Sequence, residues 1–446
     1  MRIHIIGAGP TGISLAWALS HSQLYEPILY DKHALIGGSW REPSATQRNL
    51  HSHRLVFKGA YVNFEDLLSQ MGLNFDKYFK PTAKSASFRF LAKRLKVYDF
   101  LAIGLLYART MITSSSATVD ESLQSLRVSP ECLQVHNTLC YAIDGVPSAT
   151  MTINEYARSI DKTLLYTPHD QRVSGHVMCK DMEAALRARG VQEHYNTELI
   201  KANLDAQLFT LTSPQGTFEL SARDDVVILA LDAKPLQGLI GGQVCIPEDG
   251  MYGSLSLVFS FDEIVNFSED DFYHIAHDTP WHLLCSKLAG NTELNVVICD
   301  AVTPSPISRK TSVQSGEIPL VQEVWRQLTT MKKLPKYNKS AVCWGASWNT
   351  TKQLWEHSQS ANVITKSGTV DFAVAPNVFA CGMLSARSTP FASIEAAVEV
   401  SRLLIRDHFQ DASHCAKLKH HVHVSHLIVA LVCTLVAVYV YKRRNK

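Results

Sequence analysis

The spacing of apolar positions changes period several times along this chain. Arg2–Ile6 is apolar-rich and predicts a first strand. Ile13, Leu15, Ala16 and Leu19 then recur at helical spacing, and Pro27–Tyr30 predicts a second short strand. Phe64–Gly72 and Phe88–Thr110 read as helices, with a loop at Ser114–Ala117. Within them Leu101–Tyr107 is too short to span a bilayer, so it is expected in a core helix or an apolar substrate wall. Lys180–Gly190 is amphipathic and ends on a glycine suited to a helix C-terminus. A strand is expected over Thr197–Ala202, and a hairpin over Leu208–Ser213 and Thr217–Leu220. Asp225–Ala230, apolar at every position after the aspartate, predicts a buried parallel strand. Val378–Gly382 predicts a last strand and turn, Ser393–Ile405 a helix, and residues 409–421 a polar linker. No internal repeat interrupts this order.

The first strand runs into Gly7-Ala-Gly9-Pro10-Thr11-Gly12, a G-x-G-x-x-G loop opening a helix. Gly7 permits the tight turn, Gly9 lets the backbone approach a pyrophosphate, and Gly12 lets helix and strand pack closely. The phosphates then meet the positive end of the helix. Asp31, 19 positions after Gly12 and at the end of the second strand, is placed to accept hydrogen bonds from a ribose diol and disfavours a 2′-phosphate. Strand, glycines, helix, second strand and acid together predict a dinucleotide site.

The C-terminal pattern is of another kind. Residues 422–441 read VHVSHLIVALVCTLVAVYVY, without charge from Leu427 to Tyr441 and with lysines or arginines on both sides. About 20 apolar residues span a bilayer core, so the expectation is a transmembrane tail anchor with the body cytosolic, in the mitochondrial outer membrane or the endoplasmic reticulum. The first residues enter a strand at once, so no signal peptide is expected. The 43 basic and 41 acidic side chains leave a formal charge of +2, which offers no field for nucleic acid. Ten scattered cysteines with no C-x-x-C pair read as reduced core residues.

Three further segments choose FAD over NAD. Gly37-Gly38 follows Asp31 closely and resembles the pair that in amine-oxidase-like flavoproteins passes the ribityl-diphosphate. Asn196–Ala202 offers strand backbone to the adenine. The Ser393 helix N-terminus can face the flavin pyrimidine and stabilise negative charge on a reduced flavin. The candidate cofactor contacts are Gly7, Gly9, Pro10, Thr11, Gly12, Asp31, Lys32, Gly38, Ser39, Trp40, Arg41, Leu199, Ile200, Gly382, Ser393 and Ile394.

With GAGPTG, Asp31, Gly37-Gly38, Met178–Ala230 and Phe379–Glu399 in this order, about half the chain resembles the FAD-dependent amine oxidoreductase superfamily of amine oxidases, phytoene-desaturase-like enzymes and protoporphyrinogen oxidases. The resemblance implies an α/β fold: a discontinuous Rossmann-like FAD-binding domain (1–80, 170–235, 370–408) with an inserted α+β substrate domain (81–169, 236–369), linker 409–421 and the transmembrane helix. It implies non-covalent FAD, a small-molecule substrate (an amine or lipophilic compound), and oxygen or quinone as acceptor.

The departures keep alternatives open. Gly37-Gly38-Ser39-Trp40-Arg41 looks more like flavin-dependent monooxygenases, which would need NADPH, yet no second G-x-G-x-x-G follows. Met383 stands where the family usually has an acid, and no amine cage is evident, which suits a catalytically inactive flavoprotein-like binding protein. Arg41 is a candidate for FAD phosphate or a surface ion pair. His51 and His53 either line the flavin site or sit in a solvated loop. Lys287 is a candidate water ligand near the flavin by resemblance. Trp344 and Trp348 belong to the core or to a substrate cage, and Arg387 and Phe391 are placed to face the flavin. No catalytic residue is assigned.

Overall fold

A computed structural model describes residues 1–41, 56–81, 94–163, 166–244, 251–253, 255–265, 279–287, 292–331, 333–342, 346–357, 363–365, 368 and 370–421. The elements that carry the argument are, in chain order, β1 (Arg2–Ile6), α1 (Pro10–Leu19), β2 (Glu26–Tyr30), α2 (Val62–Gln70), α3 (Val97–Ile112), α4 (Val119–Ser125), α5 (Pro130–Asp144), α6 (Ile153–Thr163), α7 (Gly175–Ala188), β3 (Gln192–His194), β4 (Glu198–Asn203), β5 (Leu208–Ser213), β6 (Gly216–Ser221), β7 (Val226–Leu229), α8 (Ala233–Ile240), β8 (Leu255–Ser260), β9 (Leu283–Lys287), β10 (Glu293–Ile298), α9 (Glu317–Met331), β11 (Lys339–Val342), β12 (Ala373–Ala375), β13 (Val378–Ala380) and α10 (Ile394–His408).

The central sheet has the order β12-β13-β7-β1-β2-β3, and all its pairings are parallel except that of edge strand β12. β1 and β7 are buried on both faces, which is why each reads as an apolar run rather than an alternation. From β1 the chain winds first toward β2 and β3, and later returns on the other side through β7 and β13. That reversal opens a crevice at the carboxyl ends of β1 and β7, where doubly wound sheets bind nucleotides. Helices α1, α2, α7 and α10 cover one face with a core that includes Ile13, Leu15, Phe64, Met182 and Val398. The antiparallel sheet β4-β5-β6 and α8 cover the other, around Leu199, Phe209, Leu229 and Leu236.

Two smaller cores form the inserted lobe. Helices α3–α6 pack around Leu106, Val119, Cys132 and Tyr156. The antiparallel sheet β9-β10-β8-β11 packs Leu257, Phe259 and Val296 against Leu320, Val324 and Leu328 of α9, with Trp281 fully buried. Tyr141 of α5 joins the two, packing on Leu284, Val297 and Cys299.

Several boundaries differ from expectation. α8 packs on the central sheet through Leu236 and Ile240, so the nucleotide domain extends past residue 235. The strand Pro168–Gln171 pairs with Val56–Phe57 and Phe79–Pro81, which ties residues 168–169 to that domain too. Residues 409–421 are not a free linker. Phe409, Ala412 and Ala416 are buried in the domain core, and a 3₁₀ helix spans Gln410–Cys415. The apolar positions Phe409, Ala412 and Ala416 recur at near-helical spacing, which explains the docking. Leu101 and Leu105 are exposed on α3 while Ala102 and Leu106 are buried, so LAIGLLY is only partly core. The predicted span 422–441 lies outside the described residues. Among the described residues no helix is long and apolar enough to cross a membrane. Cys132, Cys140, Cys179, Cys285, Cys299 and Cys381 are free and buried.

Candidate functional site

The crevice is built first from glycines. Gly7 turns out of β1 with φ +111°, and a Cβ there would lie 2.3 Å from the Ala230 carbonyl oxygen at the end of β7. A Cβ on Gly12 would lie 1.9 Å from the Gly7 carbonyl oxygen, so α1 can sit against β1 only if this residue has no side chain. Gly9 is different. Its backbone is extended, and a Cβ there would meet only the Gly38 Cα at 3.8 Å. The space it faces is open, as a phosphate approach requires. Pro10 starts α1 at its first turn, and no side chain caps this helix. The free N–H groups of its first turn, which include Thr11 and Gly12, are therefore left for a ligand anion.

The Gly37-Gly38 turn closes over this loop. The Gly37 N–H donates to the Ala8 carbonyl at 2.8 Å, and a Cβ on Gly38 would lie 2.9 Å from the Gly9 Cα. Both glycines have positive φ, +117° and +55°. Asp31 lies alongside. Its carboxylate accepts the Ala8 N–H at 2.8 Å and the His33 N–H at 2.9 Å, and the Arg41 Nη1 stands 3.8 Å away. Burial raises the Asp31 carboxyl above the usual range and lowers the Arg41 guanidinium, so both charges are short of solvation. A carboxylate there can accept from a ribose diol, and a guanidinium there can donate to a phosphate. Arg41 is buried at this site, not a surface ion pair.

Asp232, which follows β7, was not singled out from the sequence. Its surface is open to solvent although protein surrounds it, as on the wall of a cleft, and burial and the charge of Asp31 push its carboxyl up to about 6. A carboxylate at the carboxyl end of a central parallel strand was the available signal. Thr197 donates its N–H to the Asp31 carbonyl at 2.8 Å, which brings the start of β4 to the same place. Leu199 packs in the core there. Ile200 is exposed at a bulge where the ladder passes from Leu199 to Lys201. Lys32 reaches Glu198 at 3.6 Å.

Three expected contacts, Leu199, Trp40 and Ile394, have their side chains buried in the core. Trp40 is buried edge-on to Phe79, and its carbonyl oxygen would lie 2.6 Å from a Cβ on Gly175. The Gly-Ser-Trp step is thus a 3₁₀ turn that plugs the core with an indole, and Ser39 is half-buried beside it. Ile394 is buried in the same core.

The other wall is the loop from Gly382 to Ser393. Gly382 lies against the chain after β7: a Cβ there would be 2.7 Å from the Leu231 carbonyl oxygen. Ser393 caps α10, its hydroxyl accepting the Ala396 N–H at 3.1 Å. Arg387 braces the loop from within, donating to the carbonyl oxygens of Thr389 and Met383. Phe391 packs near Tyr61. The loop is anchored by buried charges that sequence reasoning missed. Glu399 accepts from the N–H and hydroxyl groups of both Ser388 and Thr389, and these bonds hold its carboxyl below the usual range. Lys162 of α6 donates to the Thr389 hydroxyl at 2.7 Å and lies 3.6 Å from Glu395. Glu395 in turn accepts from Asn63 and the Phe64 N–H. Glu395, Glu399 and Arg402 share the buried face of α10 at helical spacing, a pattern that could have flagged them.

His51, His53 and Trp344 lie outside the described residues. Lys287 ends β9, paired with Leu294. Trp348 packs against Trp355 at 5.7 Å, in the lobe's core rather than a substrate cage.

A family model for FAD dependent oxidoreductases matches residues 2–282, well over half the chain. No curated protein matches in a sequence comparison. Among solved structures, an oxidoreductase from Methanosarcina mazei superposes with a TM-score of 0.63 at 14% identity, over 91% of this chain and 100% of that one. A candidate protoporphyrinogen oxidase from an Exiguobacterium species gives 0.56 at 12% identity, over 91% and 98%. A putrescine oxidase bound to putrescine gives 0.55 at 11% identity, over 92% and 99%. At these identities the superpositions speak for the fold, and the family match supplies the chemistry: a two-electron acceptor, FAD, in a crevice whose glycines, acid and helix terminus suit it. The chain belongs to the FAD dependent oxidoreductase family.

Proposed function

We propose that this enzyme oxidises an amine or a lipophilic small molecule by hydride transfer to FAD, with oxygen or a quinone as the final acceptor. The observation that carries the reading is the convergence of the Gly9–Gly38 contact, the Asp31–Arg41 pair and the Gly382 loop on one crevice. FAD bound there supplies the hydride acceptor. Asp31 and Arg41 hold its nucleotide half, and the loop braced by Arg387 and Glu399 presents the N-terminus of α10 to its other end. The amine class draws support from the putrescine-bound neighbour of the same fold. Residues 422–441 form a tail anchor in this reading, in the mitochondrial outer membrane or the endoplasmic reticulum, with the enzyme body cytosolic.

The test is anaerobic titration of the purified holoenzyme with primary, secondary and polyamines, with lipophilic alcohols, and separately with NADPH. Bleaching of the flavin by an amine or a lipophilic donor supports the proposal. Reduction by NADPH alone would favour a monooxygenase, the reading first raised by Gly-Gly-Ser-Trp-Arg. The burial of Trp40 gives that segment a packing role instead. No bleaching by any donor would favour a binding protein.

A further inference from the structure

Helix α3 carries an apolar face that the described residues leave bare. Val97 is 79% exposed, Leu101 70%, Leu105 63% and the neighbouring Tyr98 54%. The first three recur every four residues, so they form one stripe about 12 Å long. The opposite face is buried: Ala102 and Leu106 enter the helical core. Soluble surfaces scatter large apolar groups singly, and a contiguous stripe marks an interaction.

The charge around the stripe selects the partner. Arg109 is exposed at its C-terminal end, and at its N-terminal end the exposed Lys96 side chain lies 4.0 Å from the exposed Glu131 of α5. The helix contains one acid, Asp99, and that is fully buried and held by the backbone N–H groups of Lys96 and Ser129. An apolar stripe ending on the Arg109 cation, with no exposed carboxylate on the helix itself and with Glu131 beside it balanced by Lys96, suits the headgroup and acyl boundary of an anionic bilayer.

The position of the stripe points the same way. Tyr107 of α3 donates to Asp161 at 2.8 Å, and the His421 ring lies 3.8 Å from the same carboxylate. The end of the described chain is therefore held beside α3. Arg402 bonds the Lys417 carbonyl at 2.8 Å, and Asn63 accepts the Lys419 N–H at 2.8 Å, so this approach is clamped. The uncharged run begins at Leu427, six residues after His421, within about 20 Å of extended chain. A bilayer entered by that run is within reach of α3.

We infer that the exposed Val97–Leu101–Leu105 face of α3 lies on an anionic lipid surface, as a second contact beside the C-terminal segment. This rests on the proposed membrane segment at 422–441. With two contacts the body would sit in one orientation on the bilayer instead of swinging on a tether.

The experiment is photolabelling of the full chain, reconstituted in vesicles of phosphatidylcholine and phosphatidylserine that contain a photoactivatable phospholipid, with peptides mapped by mass spectrometry. The expected result is lipid adducts on both 97–112 and 422–441. The double variant Leu101→Glu/Leu105→Glu should lose the first set and keep the second. Both positions are exposed, and retained flavin absorption verifies that the variant folds. Labelling of 422–441 alone would overturn the docking surface and leave the anchor standing. Absence of label from 422–441 would overturn the anchor. Cross-links between 97–112 and 422–441 without lipid adducts on α3 would mean that the tail itself covers the stripe, and would also overturn the inference.

Discussion

The two walls of the FAD crevice are built on opposite principles. Around Gly7, Gly9, Gly12 and Gly38 the chain makes room by omitting side chains, and backbone groups do the binding. Around the Gly382–Ser393 loop it fills the space with buried charge: Glu395, Glu399, Lys162 and Arg387 hold one another and the loop backbone, and Arg402 ties α10 to Asn63, Asp66 and the Lys417 carbonyl. At Gly7, Gly12 and Gly38 the first wall tolerates no added atom, while Gly9 faces open space. The second tolerates no lost partner, because each removed charge strands another in a medium that cannot solvate it.

The largest expected effect is on the first wall. Gly12→Ala places a methyl where the Gly7 carbonyl oxygen already lies at 1.9 Å, so α1 must leave β1. We expect a loss above about 4 kcal/mol and no yellow protein, measured by denaturant unfolding and absorption. A variant that folds and binds FAD normally would mean that the helix–strand contact is looser than described.

Next comes the second wall. Glu399→Ala leaves the Ser388 and Thr389 donors unsatisfied and should cost about 3–5 kcal/mol in unfolding free energy. Glu399 also sets a pH dependence. Its carboxyl is held below 4.5 in the folded state, so its stabilisation is complete above that value and is lost as pH falls through the folded value. Glu399→Gln should flatten that acid limb of the stability curve. An unchanged limb would remove Glu399 from the account.

Asp31→Asn should weaken FAD about tenfold, near 1.4 kcal/mol, while the Ala8 N–H keeps an acceptor. Equilibrium titration of the apoprotein reads this directly. Of similar size, but read in stability rather than affinity, is Trp40→Phe. A core indole exchanged for the smaller phenyl ring leaves a small cavity, which should cost about 1.5 kcal/mol in stability and leave FAD affinity unchanged. A drop in affinity without a drop in stability would return Trp40 to the cofactor. The least effect is expected at Asp232. Its raised carboxyl, about 6, means that wild-type apoprotein loses a little stability as pH rises toward that value, and Asp232→Asn should remove the slope.

The same contrast explains what was legible in the sequence. Steric omission has a signature, because glycine at fixed offsets after a strand and before a helix has few other causes, and so residues 2–31 could be read closely. The parallel strands β1 and β7 were legible for another reason: burial on both faces makes β7 an apolar run and β1 apolar-rich. Buried charge has no fixed spacing across the chain. Lys162 meets Thr389 and Asn63 meets Glu395 only after some 230 and 330 residues of intervening fold. The burial of Trp40 was not legible because its motif position says nothing of Gly175, which packs against its carbonyl only in the fold. The docked segment after α10 was read as a linker because its polar residues outnumber the buried Phe409, Ala412 and Ala416.

Gly9 separates a cofactor cradle from a packing glycine most directly, because its missing side chain faces open space and its backbone suits alanine. FAD titration of the Gly9→Ala apoprotein beside wild type, with unfolding curves for both, is therefore the decisive measurement. The account predicts equal apoprotein stability within about 0.5 kcal/mol and an FAD affinity weakened at least about tenfold. A folded wild-type protein that takes up no FAD, or a Gly9→Ala variant that binds it as tightly as wild type, would contradict the account.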